Sequence, residues 1–520
     1  MEQTIKSKQT AFLYHVLWVI AILILICHIA VYYRTMVDDT FITFRYSDNM
    51  ARGFGPVYNP GERVEGITNF LWMTLLTPPA AFGWDLATTA RILGIICTVA
   101  SFIILIMWSR AVIDYPNRLW VAFLFACSAP IAVWTTGGLE TPLFALLVLA
   151  GVIQGFREED RSHSGWWSGI LFAFASMTRP EGLIFWAGFV LFRVVESVMG
   201  THPWRRSDWQ RIFGFLVLAI PFTLGRWLYY GDIVPNTFFV KTGRGLRSLL
   251  GGVRYTLEFI LLFGGGSLIG IGLLSLLDST KRRWMSYCLG LSALFVFYVI
   301  FLSGADWMAM YRYYVPIIPL LILPIAKGFE LLHGWVKDGR LTSGKILPSW
   351  SVNGAFLFIG ALIVLLGLMP TYIAKARDVK RFGGFDDYRG YLKAAEYLKT
   401  HAVPDALVAV QNAGTIPYIT HRPTLDMSGL ADKHIARSPA KGPLKRRYDS
   451  DYVLSRKPDY VEVLTNINLE VKDPTNPDPG IHELIRLPEF QADYKTVPGF
   501  CGPGVALFQR IHPEASGQTP

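Results

Sequence analysis

The chain has 520 residues, of which 52% are hydrophobic and only 17% charged, and its mean hydropathy is +0.35. That is too apolar for a soluble enzyme, so a chain largely dissolved in lipid is the first expectation. The formal net charge of +10 does not point to nucleic acid, because Lys and Arg sit mostly in short links between apolar runs, where they report membrane topology.

Lys6 and Lys8 precede an apolar run from Ala11 to Tyr33. It exceeds a signal-peptide core and has no obvious small-residue cleavage site, which predicts an uncleaved first span. Further runs long enough to cross the hydrocarbon occur near 88–109, 118–135, 139–156, 211–230, 252–277, 284–303, 314–333 and 351–371. The stretch from Trp166 to Phe192 is interrupted by Thr178-Arg179-Pro180-Glu181-Gly182. A charged, proline-containing break in lipid must face water or protein, so this stretch reads as two short helices, and the total as about eleven spans.

With the N-terminus in the cytoplasm, the inner links hold Arg110 and Arg118, then Arg157 and Arg161, then Arg193, Arg205, Arg206 and Arg211, then Lys281, Arg282 and Arg283, then Lys337, Arg340 and Lys345. Every inner turn is positive, as orientation by basic residues requires. The exception is an outer basic group, Lys241, Arg244, Arg247 and Arg254, which reads either as a site for an anion or as a tolerated interfacial loop.

The loop at 34–87 falls outside by the same reasoning, and its apolar piece Thr68–Leu76 is too short to span and is expected in the interface or as a re-entrant turn. Beyond residue 371 the composition becomes mixed and polar. A helix near 387–400 and strand-like runs at 406–410 and 460–464 predict a small outer α/β domain. The expected organisation is therefore an α-helical polytopic membrane part, residues 1–371, followed by an extracytoplasmic α/β domain, residues 372–520, with the acidic motif in the first outer loop.

Of the five cysteines, Cys27, Cys97, Cys127 and Cys288 lie in apolar runs and Cys501 in a polar one, so neither a disulfide framework nor a cysteine metal motif is present.

The segment after the first span begins Val37-Asp38-Asp39-Thr40 and runs through Arg45 to Gly66. Adjacent carboxylates disfavour each other's ionisation unless a cation or donor compensates. In a sugar transfer one carboxylate accepts the proton of the acceptor hydroxyl while the second orients it or holds a cation. The bland alternative is that Asp38 only caps the following helix.

A sugar leaving a lipid phosphate needs that phosphate stabilised, which Arg or Lys at a dry interface does well. Arg179, Lys241, Arg244 and Arg312 are the outer candidates, and Arg45 joins them as a substrate-binding residue. Three further outer turns carry ionisable groups against the apolar trend: Glu140 after Gly137-Gly138, the Arg179/Glu181 break, and Asp306 leading to Arg312. Such groups usually face a cavity, although Glu140 with Arg179, or Asp306 with Arg312, would also serve as ion pairs tying helices together. Trp307, Tyr311 and Tyr313 suit stacking on sugar rings and equally suit a membrane interface.

At these residues the sequence resembles the GT-C glycosyltransferases, and within them the branch similar to mycobacterial terminal arabinofuranosyltransferases. The resemblance rests on ordered segments along nearly the whole chain: DDTFITFRYSDNMARGFGPVYNPGERVEGITNFLW at 38–72, GLETPLFALL at 138–147, TRPEGLIF at 178–185, PNTFFVK at 235–241, GADWMAMYRYYVP at 304–316 and PTLDMSGLADKHIAR at 423–437.

It implies inverting transfer from a polyprenyl-phosphate sugar to a glycan, lipid or protein acceptor on the outer side of the cytoplasmic membrane. It also implies Asp39 as the base with Asp38 in support, and a distal domain that binds the acceptor. Asp426, Asp432 and His434 fall in a recurring feature of that domain. Metal dependence varies within the class, which leaves room for a divalent cation.

A transporter or flippase of lipid-linked saccharides is the main competing reading. It favours symmetry-related broken helices and mid-membrane charges, whereas here the polar groups gather on one face. A non-catalytic scaffold is the third reading.

Overall fold

A computed structural model of the chain describes residues 2–159, 164–241, 245–262, 266–306, 308, 310–338, 358, 360–362, 385–441, 446–465, 479–500 and 504–511. In chain order the helices are α1 (Glu2–Tyr32), α2 (Asp39–Ala51), α3 (Phe70–Ala81), α4 (Leu86–Ser109), α5 (Leu119–Ala126), α6 (Ala129–Thr136), α7 (Thr141–Arg157), α8 (Trp166–Thr178) and α9 (Gly182–Val198). There follow α10 (Arg206–Tyr230), α11 (Asn236–Lys241), α12 (Gly245–Leu262), α13 (Ser267–Leu274), α14 (Arg282–Tyr298) and α15 (Ile318–Lys337). The C-terminal part interleaves α16 (Phe385–His401), β1 (Val408–Val410), α17 (Thr415–Thr420), β2 (Thr424–Asp426), α18 (Lys433–Arg437), β3 (Ala440–Lys441), β4 (Arg446–Arg447), α19 (Ser450–Ser455), β5 (Tyr460–Thr465), α20 (Pro479–Arg486), α21 (Pro488–Asp493), β6 (Tyr494–Thr496) and β7 (Gly504–Arg510).

The chain is a mostly helical, polytopic membrane protein. Among the described residues, five helical segments have the length and apolarity to cross a bilayer: Phe12–Tyr32, Leu86–Ser109, Arg206–Tyr230, Arg282–Ser303 and Arg312–Lys337. The run at 118–135 is a bent pair, α5 and α6 meeting at 57°, rather than one straight helix. Pro130 in the first turn of α6 cannot continue the α5 hydrogen-bond ladder and starts a new one. The run at 252–277 is likewise divided, into α12 and α13, with Gly266 at φ 82° leading into α13. The expected two-part stretch at 166–192 is α8 and α9. Pro180 drives the residue before it out of the helical region, and Arg179 is extended at φ −152°, ψ 136°. The run at 351–371 and the boundary near 371 lie almost wholly outside the described residues.

Two compact units are distinguishable. The first comprises Met1–Thr35, Ala90–Ile220 and Leu246–Lys380. Within it α7 packs on α8 and α8 on α9, and the ends of these helices away from Arg179 are joined by a buried ionic network. The Arg193 guanidinium donates to Asp208 at 2.9 Å and to Glu196 at 2.6 Å, and Arg211 donates to Asp208 at 2.8 Å and to Ser168 at 3.0 Å. Arg283 pairs with Glu159 and with Glu196. Three of the arginines expected in inner links are thus matched to carboxylates, because an unpaired charge at this depth would cost several kcal/mol.

The second unit comprises Met36–Thr89, Pro221–Gly245 and Arg381–Pro520. Its sheet has the order β2-β1-β5-β7-β6, parallel among β2, β1 and β5 and antiparallel across β5-β7 and β7-β6. Side chains alternate across it, as the two-residue period of a strand demands. Val408, Val410, Tyr460 and Leu507 pack with Ile42 and Tyr46 of α2 and with Ala394 and Leu398 of α16. Ala409, Val461, Val463 and Phe508 pack on the other face with Val453 and Phe490. The strands begin and end within two residues of the expected runs, and α16 covers the expected helix at 387–400.

Candidate active site

The acidic pair lies in the second unit, where α2 begins. Asp38 does not cap α2: its backbone is helical and its side chain makes no capping bond to that helix. The carboxylate instead accepts the backbone N–H groups of Gly414 at 3.0 Å and Thr415 at 2.8 Å, and the Thr415 hydroxyl at 2.6 Å. Those donors open α17, so Asp38 satisfies the free amides of a helix distant in sequence. The approach requires glycine at 414, since a Cβ there would stand 2.0 Å from the Asp38 carbonyl oxygen. Burial raises the Asp38 pKa, while the bonds from Thr415 and Gly414 oppose the rise. Asp39, half-buried, occupies the first turn of α2, where the positive end of the helix dipole lies.

Arg45, expected to bind substrate, is only 2% exposed and is committed elsewhere. It donates to the carbonyls of Tyr58, Pro417 and Arg422 at 2.6, 2.6 and 2.8 Å, to Asn59 Oδ1 at 2.8 Å, and to Thr424 Oγ1 at 3.3 Å. This geometry gives it a structural part, joining the 38–72 motif to the β1–β2 crossover. Tyr58 and Asn59 do the same, through Ala413 O at 2.7 Å and Thr424 O at 2.8 Å.

The PNTFFVK segment is tied in by Asn236, whose amide donates to Gly429 O at 2.9 Å and to Leu430 O and Asp432 O at 3.1 Å. Lys241 ends α11, but its side chain, that of Arg247 and the whole of Arg244 lie outside the described residues. Asp426 is buried and accepts the N–H groups of Ser428 at 2.9 Å and Ala431 at 2.7 Å. Burial pushes its pKa up to about 6.

The other candidates lie in the first unit. Arg179, buried, donates through Nη1 to Glu140 at 2.8 Å and through Nη2 to Glu181 at 3.0 Å. Arg312 donates through Nε to Asp306 at 2.8 Å. Both ion pairs of the alternative reading therefore form. The two guanidiniums share one aromatic ring: Arg179 lies 5.3 Å and Arg312 5.7 Å from the Tyr313 centroid, and Arg312 also lies 5.7 Å from that of Trp134.

The turn that delivers Arg312 is strained. Met310 and Tyr311 sit consecutively in the left-handed region at φ 59° and 51°, a conformation that concentrates at functional sites. Gly304 opens the same turn at φ 77°, with Ser248 Oγ 2.3 Å from where a Cβ would be. Trp307 lies outside the described residues. Among the described residues no group of three or more His, Cys, Asp or Glu is arranged to hold a metal ion.

Sequence reasoning did not foresee the docking of Asp38 on α17 or the shared Tyr313 ring. It also missed Glu462 in β5, fully buried, which accepts the amides of Gln411 at 2.8 Å and Asn412 at 3.3 Å. An acid in the middle of the apolar strand Tyr460–Thr465 was the available signal.

This architecture is the GT-C fold. A structure of ArnT from Cupriavidus metallidurans bound to undecaprenyl phosphate matches with a TM-score of 0.60 and 14% identity, covering 98% of this chain and 99% of that one. In sequence the chain resembles terminal beta-(1->2)-arabinofuranosyltransferases. It is 26% identical over 241 residues to that of Mycobacterium tuberculosis, a match covering 41% of this chain and 36% of the relative. It is 28% identical over 235 residues to that of Corynebacterium glutamicum, covering 39% and 33%. The matches thus span about a third of the length of these curated relatives. Residues 381–515 match a domain of unknown function, DUF8728.

Proposed function

We propose that this protein is a glycosyltransferase that moves a sugar, with inversion, from a polyprenyl-phosphate donor to a cell-envelope glycan, lipid or protein on the outer side of the cytoplasmic membrane. In this reading about eleven helices span the membrane, the N-terminus is cytoplasmic, and residues 372–520 form an extracytoplasmic domain. The observation that carries it is a fold shared over nearly the full length with a protein that binds undecaprenyl phosphate.

The residues divide the chemistry as follows. Asp39 accepts the proton of the acceptor hydroxyl as that oxygen bonds to the anomeric carbon. The bond from that carbon to the phosphate oxygen breaks, its electron pair leaves with the polyprenyl phosphate, and the transition state has oxocarbenium character. Arg312 is the better partner for the phosphate, because it answers to one carboxylate, whereas Arg179 is held between two. Arg179, Glu140 and Glu181 position the ring of Tyr313 and the helix ends around it. Asp38 is a positioning residue that fixes the start of α2.

Proteoliposomes containing the purified protein, a polyprenyl-phosphate sugar and an acceptor glycan test this reading. The expected products are extended glycan and free polyprenyl phosphate. Passage of the intact lipid between leaflets, with no bond broken, would establish the flippase reading instead.

A further inference from the structure

The second unit contains a cavity of about 390 Å³ that none of the preceding chemistry uses. Its polar lining includes Glu62, Asp432, Lys433, His434, Tyr452 and Arg456. We propose that it is a saccharide-binding site for a neutral glycan segment, which, on the transferase reading, is the acceptor.

Three observations carry this. The first is charge. Glu62 and Asp432 line it beside the Arg456 guanidinium, while the Lys433 ammonium donates to the Tyr230 carbonyl and pairs with Asp232 outside the lining, so no surplus positive charge is there to select an anion. The lining does offer both donors and acceptors at short range, and a hydroxyl, which donates and accepts at once, is the group that uses both.

The second is rigidity. The side chain of Asp432 caps α18 by accepting the Ile435 N–H at 2.9 Å, and also accepts the Tyr452 hydroxyl at 3.2 Å. Asp449 caps α19 by accepting the Tyr452 N–H at 3.0 Å, and holds His434 Nε2 at 2.8 Å. The imidazole of His434 stacks on the Tyr452 ring at 4.0 Å and 18°. The His434 side chain is nevertheless 51% exposed. A flat ring that is open to solvent yet fixed by a stack and a hydrogen bond loses little entropy when a sugar face settles on it.

The third is size. The volume falls within the roughly 300–1,000 Å³ of small-molecule sites, and the lining sets Val64, Leu407 and Leu425 beside its polar groups, as a sugar with hydroxyl edges and an apolar face requires. The cavity also gives a part to Asp432 and His434, which the sequence marked without a role.

Saturation-transfer NMR on the full chain in detergent provides the test, with a neutral arabinofuranosyl hexasaccharide, mannohexaose and a uronate hexasaccharide as probes. A neutral hexasaccharide is expected to bind, and His434→Ala and Arg456→Met are each expected to weaken it about tenfold or more. If His434→Ala lowers the melting temperature, His434→Gln, which keeps a hydrogen bond to Asp449 but lacks the ring, decides in its place. No binding of either neutral probe, preference for the uronate, or affinities unchanged in both variants would overturn the proposal. Sugar transfer is not read here. Binding by a chain that transfers nothing would keep the site and sink the enzyme, and transfer without binding would do the reverse.

Discussion

Helices α7, α8 and α9 carry buried charge at both ends, about 20–25 Å apart at the rise of an α-helix, and the two ends are built differently. At one, Arg193, Arg211 and Arg283 are matched to Glu159, Glu196 and Asp208 by multiple bonds from each guanidinium, with Ser168 and the Gly155 carbonyl filling in around Arg211. At the other, Arg179 and Arg312 approach a single tyrosine ring, and the turn that brings Arg312 there is held in the left-handed region. Charge that holds helices together is many-bonded and sits on relaxed backbone. On the proposed reading, charge set beside a strained turn and an aromatic face is placed for a ligand.

Substitutions sharpen this contrast. The largest effect is expected at Asp39: Asp39→Asn lowers the rate of sugar transfer by about 10²–10⁴-fold, the usual weight of a general base, with the melting temperature retained. Next is Arg211→Met in the many-bonded network, which costs about 3–5 kcal/mol of stability because Asp208 loses a buried partner. A denaturant titration in detergent checks this, and transfer per folded molecule stays near wild type. Arg312→Ala gives the opposite pattern, a loss of about 10²–10³-fold in transfer with a smaller change in stability. If Arg211→Met impaired transfer and Arg312→Ala only unfolded the protein, the contrast between the two ends would be broken.

The smallest effect concerns Glu462. Burial pushes its pKa up to about 8, against the pull of the Gln411 and Asn412 amides. The folded state therefore keeps a proton that the unfolded state releases, so the contribution is full below the ordinary carboxylate range and is lost as pH rises towards 8. Stability of the unit falls by about 2–3 kcal/mol between pH 6 and pH 8, and Glu462→Gln flattens that dependence in thermal melts.

Much of this was legible in the sequence because it depends on local rules. Long apolar runs announced the five spanning helices among the described residues, and Pro180 announced the break between α8 and α9. The Glu140–Arg179 and Asp306–Arg312 pairs were legible only as the alternative to charges facing a cavity, from the cost of lone charges in lipid. What was not legible depends on long-range closure. Arg45 reads as a free cation until its acceptors at Pro417, Arg422 and Thr424 are brought to it across more than 370 residues. Asp38 reads as the cap of its own helix until Gly414 removes the side chain that would block its approach to α17. The bend between α5 and α6 was visible as Pro130, yet apolarity alone reads 118–135 as one span.

The most direct test of the central claim compares wild type with Asp39→Asn and Asp38→Asn in detergent, each given a panel of polyprenyl-phosphate sugars and envelope glycan acceptors, with extension followed by mass spectrometry. Transfer by wild type from at least one donor is expected, with near-complete loss in Asp39→Asn while the fold stays intact and a partial loss in Asp38→Asn that tracks its stability. Equal transfer by wild type and Asp39→Asn would contradict the central claim.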